Sequence, residues 1–474
     1  MSSCNSKVVT KAPRTHEGGI ASRINNFEKL KRSVLSSMLW ENSFYEDGMS
    51  VADRISSLIP NVKAEDVAKL AIDARSKYNL RHMPLFLARE MVKHKTHKHF
   101  VSDVLYNVIQ RPDELAEFLA VYWKDGKQPI ANQVKKGLGK AFTKFGEYQL
   151  AKYNRDKEIK LRDVMFLCHP TPEGLEQEFL WKKLVGNYCV NCGKPNFAHK
   201  GYKDTPKKYS GPLDGCSNYV EAKLDIPYTW EVELSKDGSN KCEVFTNLIK
   251  ANKLGAMATL RNLRGMLEAK VDINLLKDYI RNMKTERILP FRFITAAKYA
   301  PQLEDVLEEA MFKCLEGYKK LKGKTVLLVD VSGSMGASIS NKSEMTRFDA
   351  ANSIAILARE ICEDVSIYTF SNKVVSIPPR RGFALRDSIM SSQPNSCTYL
   401  GRALSTINKN ESYDRILIYT DEQSHDNVGS HNGRGYIFNV ASYENGVNYK
   451  DFIHINGFSS NSLDWLLEYE KEFC

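Results

Sequence analysis

Five oxygen-bearing side chains in the last third of the sequence stand where strands end or a helix begins. Asp330, Ser332 and Ser334 follow the run Thr325–Val329, Thr398 opens Thr-Tyr-Leu-Gly-Arg-Ala-Leu, and Asp421 follows the run Arg415–Thr420. Two carboxylates and three hydroxyls are hard donors, suited to a small divalent cation that takes octahedral oxygen ligands and keeps some water. Mg²⁺ fits best and Mn²⁺ next. The histidines nearest in sequence, His425 and His431, are tied by spacing to no nucleophile, so no catalytic triad is expected. Two carboxylates on a divalent ion leave net positive charge and an exchangeable coordination position. That is chemistry for accepting an acidic side chain from a partner, not for hydrolysis. No Walker loop is present, and ATP hydrolysis is not expected.

A second chemistry lies in Asn132–Phe145. Lys136, Lys140 and Lys144 recur at i, i+4 and i+8, opposite a stripe of Val134, Leu138, Ala141, Phe142 and Phe145. A helix there buries the stripe and presents a basic ridge that can follow a phosphate backbone; a solvated lysine face is the plainer alternative. A third set is Cys189 and Cys192 in Cys-Val-Asn-Cys-Gly, with His199 after six residues and Cys216 after sixteen more. A Cys₃His zinc site would staple a loop too polar to hold itself together, although a reduced Cys-x-x-Cys needs no metal.

The elements that must position these groups differ along the chain. Residues 1–20 read as an unstructured tail. Residues 21–322 read as helix after helix, with apolar residues three and four apart over Ala64–Tyr78, Asp113–Trp123, Asn132–Phe145, Asp163–Cys168, Glu243–Lys250, Lys253–Met266, Asn274–Met283 and Gln302–Leu321. With no βαβ rhythm, this is an all-α domain of stacked helix pairs. A stretch rich in Gly, Pro, Asn, Lys and Tyr over 186–225 interrupts it as a loop-rich insertion. From 323 to 474 strands alternate with helices: strands over Thr325–Asp330, Val365–Phe370, Arg415–Thr420 and Phe452–Ile455, with a looped region before the last. That rhythm is a doubly wound α/β domain, whose ligands bind beyond the carboxyl ends of its strands.

Composition bounds the rest. At 474 residues, 42% hydrophobic and 26% charged, the chain is an ordinary globular one of more than one domain. Apolar runs are too short to span a membrane, and the first residues lack the apolar core of a secretory signal. The ten cysteines are therefore expected as reduced thiols in a cytoplasmic protein. From Lys324 onward there are 14 basic and 18 acidic side chains, a net of −4, against 54 and 39 before it, a net of +15. A basic helical domain beside a mildly acidic one points to a polyanion for the first and another partner for the second.

Two resemblances sharpen this reading. Asp330, Ser332, Ser334, Thr398 and Asp421 are similar to the metal-ion-dependent adhesion site of a von Willebrand factor type A domain, with every ligand position filled; Glu422 stands where that family often has glycine. Upstream, Lys135–Phe142, Tyr148–Tyr153, Leu161–Pro170, Leu260–Met266 and Arg287–Arg292, in this order and followed by an A-type domain, resemble the TROVE module of the Ro ribonucleoprotein autoantigen family and its bacterial and phage relatives. The resemblance implies a monomeric ring of HEAT-like helical repeats closed by the A-type domain. It implies small noncoding Y RNAs bound on the outer basic surface and single-stranded 3′ ends of misfolded RNAs taken through a central hole, with an exoribonuclease as a partner in bacterial relatives. Lys152 and His169 match positions that contact Y RNA in that family. Asp156 falls where a second cation is expected, and Arg155 is the neighbour that can replace it. The competing reading is a protein–protein adhesion module whose metal site is primary and whose basic helices are incidental.

Overall fold

The structure, a computed structural model, describes residues 12–36, 48–154, 157–185, 188–189, 219–220, 224, 228–234, 240–285, 288, 291–339, 345–457 and 461–471. It falls into two compact units, one of Met1–Val62, Lys77–Asn79 and Glu233–Cys474, the other of Lys63–Ser76 and Leu80–Val232. Helices α1 (Asn26–Leu35) and α2 (Gly48–Leu58) belong to the first unit. The second contains α3 (Ala64–Ser76), α4 (His82–Val92), α5 (Val101–Val108), α6 (Pro112–Tyr122), α7 (Asn132–Phe142), α8 (Glu147–Tyr153), α9 (Leu161–Cys168) and α10 (Leu175–Val185).

Alternate helices pack on one another, α3 on α5, α5 on α7 and α7 on α9, the arrangement of stacked pairs. Helix α7 shows why. Val134, Leu138, Ala141, Phe142 and Phe145 are all buried, as their spacing requires. Gly137 sits where α7 crosses α5, and a Cβ there would meet the Cα of Ser102 at 3.0 Å. The helix stops at Phe142, short of the expected Phe145, because Lys144 and Phe145 turn back onto Ala141 and Phe142 and Gly146 starts the next helix. Within the insertion, Tyr188–Cys189 and Tyr219–Val220 form a short antiparallel pair that periodicity gave no sign of.

In the first unit the helical part continues with α11 (Lys241–Lys250), α12 (Ala256–Glu268), α13 (Ile273–Asn282), α14 (Phe291–Tyr299) and α15 (Glu304–Lys313), again packed alternately, α12 on α14 and α13 on α15. The helix expected over Gln302–Leu321 ends at Lys313, since Leu321 is claimed by a strand and pairs with Cys362. The α/β part follows: β1 (Leu321–Asp330), α16 (Arg347–Ile361), β2 (Cys362–Phe370), β3 (Val374–Ile377), α17 (Gly382–Met390), α18 (Leu400–Asn410), β4 (Arg415–Thr420), β5 (Arg434–Asn439), β6 (Ile453–Asn456) and α19 (Asn461–Glu470).

The sheet order is β3-β2-β1-β4-β5-β6, parallel except for the edge strand β3. Val326, Leu327, Leu328 and Val329 are fully buried, as a central strand covered on both faces must be. Val326 and Leu328 pack with Leu400, Leu404 and Ile407 of α18. Helix α16 also packs on β1, and Leu327 and Val329 alternate to the face away from α18. Strand β5 lies in the region expected as loop. Gly435 weakens its strand signal, yet no larger residue fits, because a Cβ there would come 2.2 Å from the His431 ring.

One further expectation is corrected. Residues 12–20 are not a loose tail. Arg14 bridges to Ile20 around a turn at Gly18, and the segment is hydrogen-bonded to the stretch after β4. The physical reason is a run of small and polar residues that makes a tight turn with outward-facing donors. Residues 1–11 lie outside the described residues.

Candidate metal centre and nucleic-acid interface

Strand order reverses between β1 and β4, so their carboxyl ends open a crevice at the switch point. Asp330 ends β1 and Asp421 follows β4, and the register that sets Val329 opposite Tyr419 brings them together. Thr420 Oγ1 donates to Asp330 Oδ2 at 2.6 Å, and Ser332 N–H donates to Oδ1 at 2.9 Å. Ser332 and Ser334 hydroxyls lie 3.4 Å apart. Gly333 N–H donates to the Ser396 carbonyl and Tyr399 N–H to that of Ser371, which ties the loop carrying Thr398 to the same place. His425 N–H donates to the Thr398 carbonyl at 2.8 Å, linking Thr398 to the stretch after Asp421. All five expected donors are thus brought to one crevice, and each is buried.

Burial pushes the Asp330 carboxyl up to about 7, and the neighbouring Asp421 carboxylate adds to this. Burial raises Asp421 too, and Arg347 only partly offsets it. Ser334 neighbours the Asp421 carboxylate, yet no donor meets hydrogen-bond geometry at Oδ2, and Arg347 Nη1 stands 3.7 Å away. Two buried carboxylates, one with an unsatisfied oxygen, beside three hydroxyls fit a hard divalent cation. A cation bound there would supply a positive charge with a replaceable water. The buried side chains of this chain would fix where that charge sits. Among the described residues no group of three or more His, Cys, Asp or Glu is placed to hold a metal ion.

Several supporting residues escaped the sequence reading. Asp426 accepts from the N–H groups of Gly401 and Arg402 at 2.9 and 2.7 Å, capping the start of α18 just after Thr398. Gly401 is required there, since a Cβ would meet the Asn427 carbonyl at 2.0 Å. Glu422 adopts φ +61°, a left-handed conformation that explains why glycine is common at this position. Its side chain has a task of its own. Fully buried, it takes Arg32 Nη1 at 2.6 Å and His454 at 3.1 Å on Oε1, and the Val447 N–H at 2.9 Å on Oε2. Burial alone would raise this carboxyl; Arg32 and His454 outweigh it and hold it at about 2. Arg32, on α1, also donates to Tyr449 and the Asn445 carbonyl. His425, unassigned in sequence, receives the Thr398 N–H on Nδ1 at 3.2 Å, while its Nε2 is 2.8 Å from Glu17. His431 is held between the carbonyls of Gly433 and Asp451.

The basic ridge of α7 is less uniform than its spacing. Lys136 is exposed. Lys140 stands 3.5 Å from Asp103, an exposed pair of little energetic weight. Lys144 is half-buried, with its ammonium donating to the Tyr106 and Ile109 carbonyls at the end of α5, and burial lowers its pKa. It is a helix cap rather than a member of a free ridge. Lys152 lies 3.4 Å from Glu231 and across the Tyr153 ring. His169 is exposed and ends α9 in the left-handed conformation, φ +48°. Gly139 of α7 approaches the next residue, Pro170, where a Cβ would lie 3.6 Å from its Cα. Helix α7 and the turn after α9 therefore meet at Gly139 and Pro170, and Phe166 on α9 is exposed. Arg155 and Asp156 lie outside the described residues, as do Cys192, His199 and Cys216; Cys189 ends the first strand of the short antiparallel pair.

Comparison with known proteins places these features. The family model described as the TROVE domain matches residues 22–222 and 205–320. Telomerase protein component 1 of Rattus norvegicus is 27% identical over 310 residues, 54% of this chain and 12% of that protein. Its counterpart in Mus musculus is 25% identical over 307 residues, 53% of this chain and 12% of that protein. The chain thus spans a small fraction of the length of these curated relatives. Among solved structures, the Ro (RSR) protein of Deinococcus radiodurans shares the fold with a TM-score of 0.59 over 95% of this chain and 100% of that one, at 14% identity. The helical-repeat part and the doubly wound α/β part thus share the fold of that Ro protein, and the chain belongs to the TROVE-domain family.

Proposed function

We propose that this chain is a cytoplasmic, non-enzymatic RNA-binding scaffold. Its helical domain would hold small, Y-like noncoding RNAs on a basic outer surface and take single-stranded 3′ ends of misfolded RNAs in a central hole, in RNA quality control or ribonucleoprotein assembly. The observation that carries the reading is the TROVE match over the helices that carry exposed Lys136 and the exposed His169 turn. Basic side chains next to exposed aromatics suit single-stranded or looped RNA, which is bound by phosphate attraction and base stacking. Lys152, held by Glu231, would add to this face once RNA phosphate competes for its ammonium.

In the same proposal Asp330, Ser332, Ser334, Thr398 and Asp421 hold Mg²⁺ or Mn²⁺. The remaining coordination position receives an acidic side chain from a protein partner, with an exoribonuclease as the expected kind. The completeness of that donor set also favours the second reading, an adhesion module in which RNA is incidental. Sequencing of RNA crosslinked to the protein in cells separates the two. Enrichment of small structured RNAs with single-stranded ends supports the scaffold, and a profile matching total cellular RNA supports the adhesion module. No helix among the described residues is long and apolar enough to cross a membrane.

A further inference from the structure

At the opposite end of the strands from the crevice, a cavity of about 760 Å³ opens between the chain leading into β1 and helix α19. That volume suits a small molecule. Leu321, the first residue of β1 and only 4% exposed, lines it together with Leu467 of α19, and Gly317 adds no side chain. The Cys314 thiol at its wall is turned to the Ala310 and Thr285 carbonyls, at 3.5 and 3.6 Å. It offers apolar surface and no nucleophile.

The charged side chains around the cavity divide into those already engaged and those still open. Glu470 meets Arg415 Nη2 and Arg434 Nε, each at 2.9 Å, and accepts from the Tyr436 hydroxyl. Glu468 pairs with Lys471, and Lys320 donates to the Glu360 carbonyl at the end of α16. Lys319 and Lys322 are exposed at the cavity, and among the described residues neither pairs with a carboxylate. Asp464 faces the Tyr318 hydroxyl. Burial first, and then Asp464, push that hydroxyl above its ordinary value, so it stays a donor and the carboxylate keeps acceptor capacity to spare.

Two open ammonium groups, an apolar floor and one acceptor with capacity left describe a ligand with three parts. Lysines bind phosphate as point charges. A purely aliphatic anion would leave Asp464 without a donor, whereas a nucleobase brings a flat apolar face and N–H groups together. We propose that this cavity binds a nucleoside monophosphate, with its phosphate on Lys319 and Lys322, its base against Leu321 and Leu467, and a base amino group donating to Asp464. The site shares no residue with the crevice at Asp330 and Asp421 or with the basic side of α7, so it stands or falls independently of both.

The test is titration calorimetry on the full chain with AMP as the probe, and with adenosine and inorganic phosphate as its two halves. AMP is expected to bind at least about tenfold more tightly than either half. Lys319→Glu with Lys322→Glu is expected to weaken AMP by about tenfold or more, and Asp464→Ala by about threefold, with unchanged thermal unfolding showing that both variants are folded. Displacement of bound AMP by a 5′-phosphorylated pentaadenylate would give an RNA end as the source of the nucleotide; failure to displace it would give a free nucleotide. No AMP binding by the wild-type chain at about 1 mM, affinity untouched by the lysine substitutions, or inorganic phosphate binding as tightly as AMP would overturn the proposal.

Discussion

The switch point of the sheet and the basic side of α7 make opposite uses of a sequence pattern. At the switch point, residues far apart in the chain converge, and each is buried. On α7, three lysines at regular spacing have separate fates: Lys136 is exposed, Lys140 faces Asp103 and Lys144 caps α5. The difference follows from what each chemistry tolerates. A cation site works at one point in a low-dielectric crevice, so an oxygen displaced by an ångström is lost to it. A phosphate-binding surface works by summed charge over many ångströms, so its lysines can drift into structural tasks without loss.

The largest expected effect tests how rigidly the loop after Asp421 is held. Arg32→Met leaves Glu422 charged, buried and short of its main partner, and should cost about 3–5 kcal/mol in a urea titration. A loss below about 1 kcal/mol would mean that the Arg32–Glu422 pair does not hold the loop after Asp421. Acid should expose the same pair. Glu422 is held at about 2, below its ordinary 4.5, so its contribution is present above about 4.5 and disappears as pH falls through about 2.

Next in size is the cation. Mg²⁺ at a hundred times its dissociation constant should stabilise the wild-type chain by about 2.7 kcal/mol, and Asp330→Asn with Asp421→Asn should remove the gain. Thermal unfolding with Mg²⁺ and with chelator reads this directly; equal gains in both proteins would place the ion elsewhere.

The basic face should respond more weakly and in a divided way. Lys144→Met should cost about 1–2 kcal/mol of stability, because two carbonyls at the end of α5 lose their donor, while RNA affinity holds. Lys136→Glu with Lys140→Glu should do the reverse. Stability should stay within about 0.5 kcal/mol, and the slope of log affinity against log salt should become shallower by about 1–2. If Lys144 and the other two lysines behaved alike in both assays, the division drawn on α7 would fail.

Most of the α/β architecture was legible because its central strands are continuous β-branched and apolar runs, and the five donors because each sits at a strand end or a helix start. The helical stripe of α7 was equally plain. What the sequence concealed depends on long-range placement. Arg32 and Glu422, like Glu17 and His425, meet only after nearly the whole chain has folded between them, and no local spacing announces either pair. Strand β5 was hidden by Gly435, whose missing side chain makes room for His431. Lys144 could not be told from Lys136 because helical period fixes a face but not what the neighbouring helix offers it.

The central claim is that the helical domain grips RNA through its charge independently of the cation. Fluorescence anisotropy with a labelled stem-loop RNA bearing a single-stranded 3′ tail, run over a series of salt concentrations, tests it most directly. The account predicts tight binding at low salt that falls steeply as salt rises, unchanged by Asp330→Asn with Asp421→Asn and weakened by Lys136→Glu with His169→Ala. Absence of binding at low salt, or affinity that ignores both salt and the α7 and His169 substitutions, would contradict it.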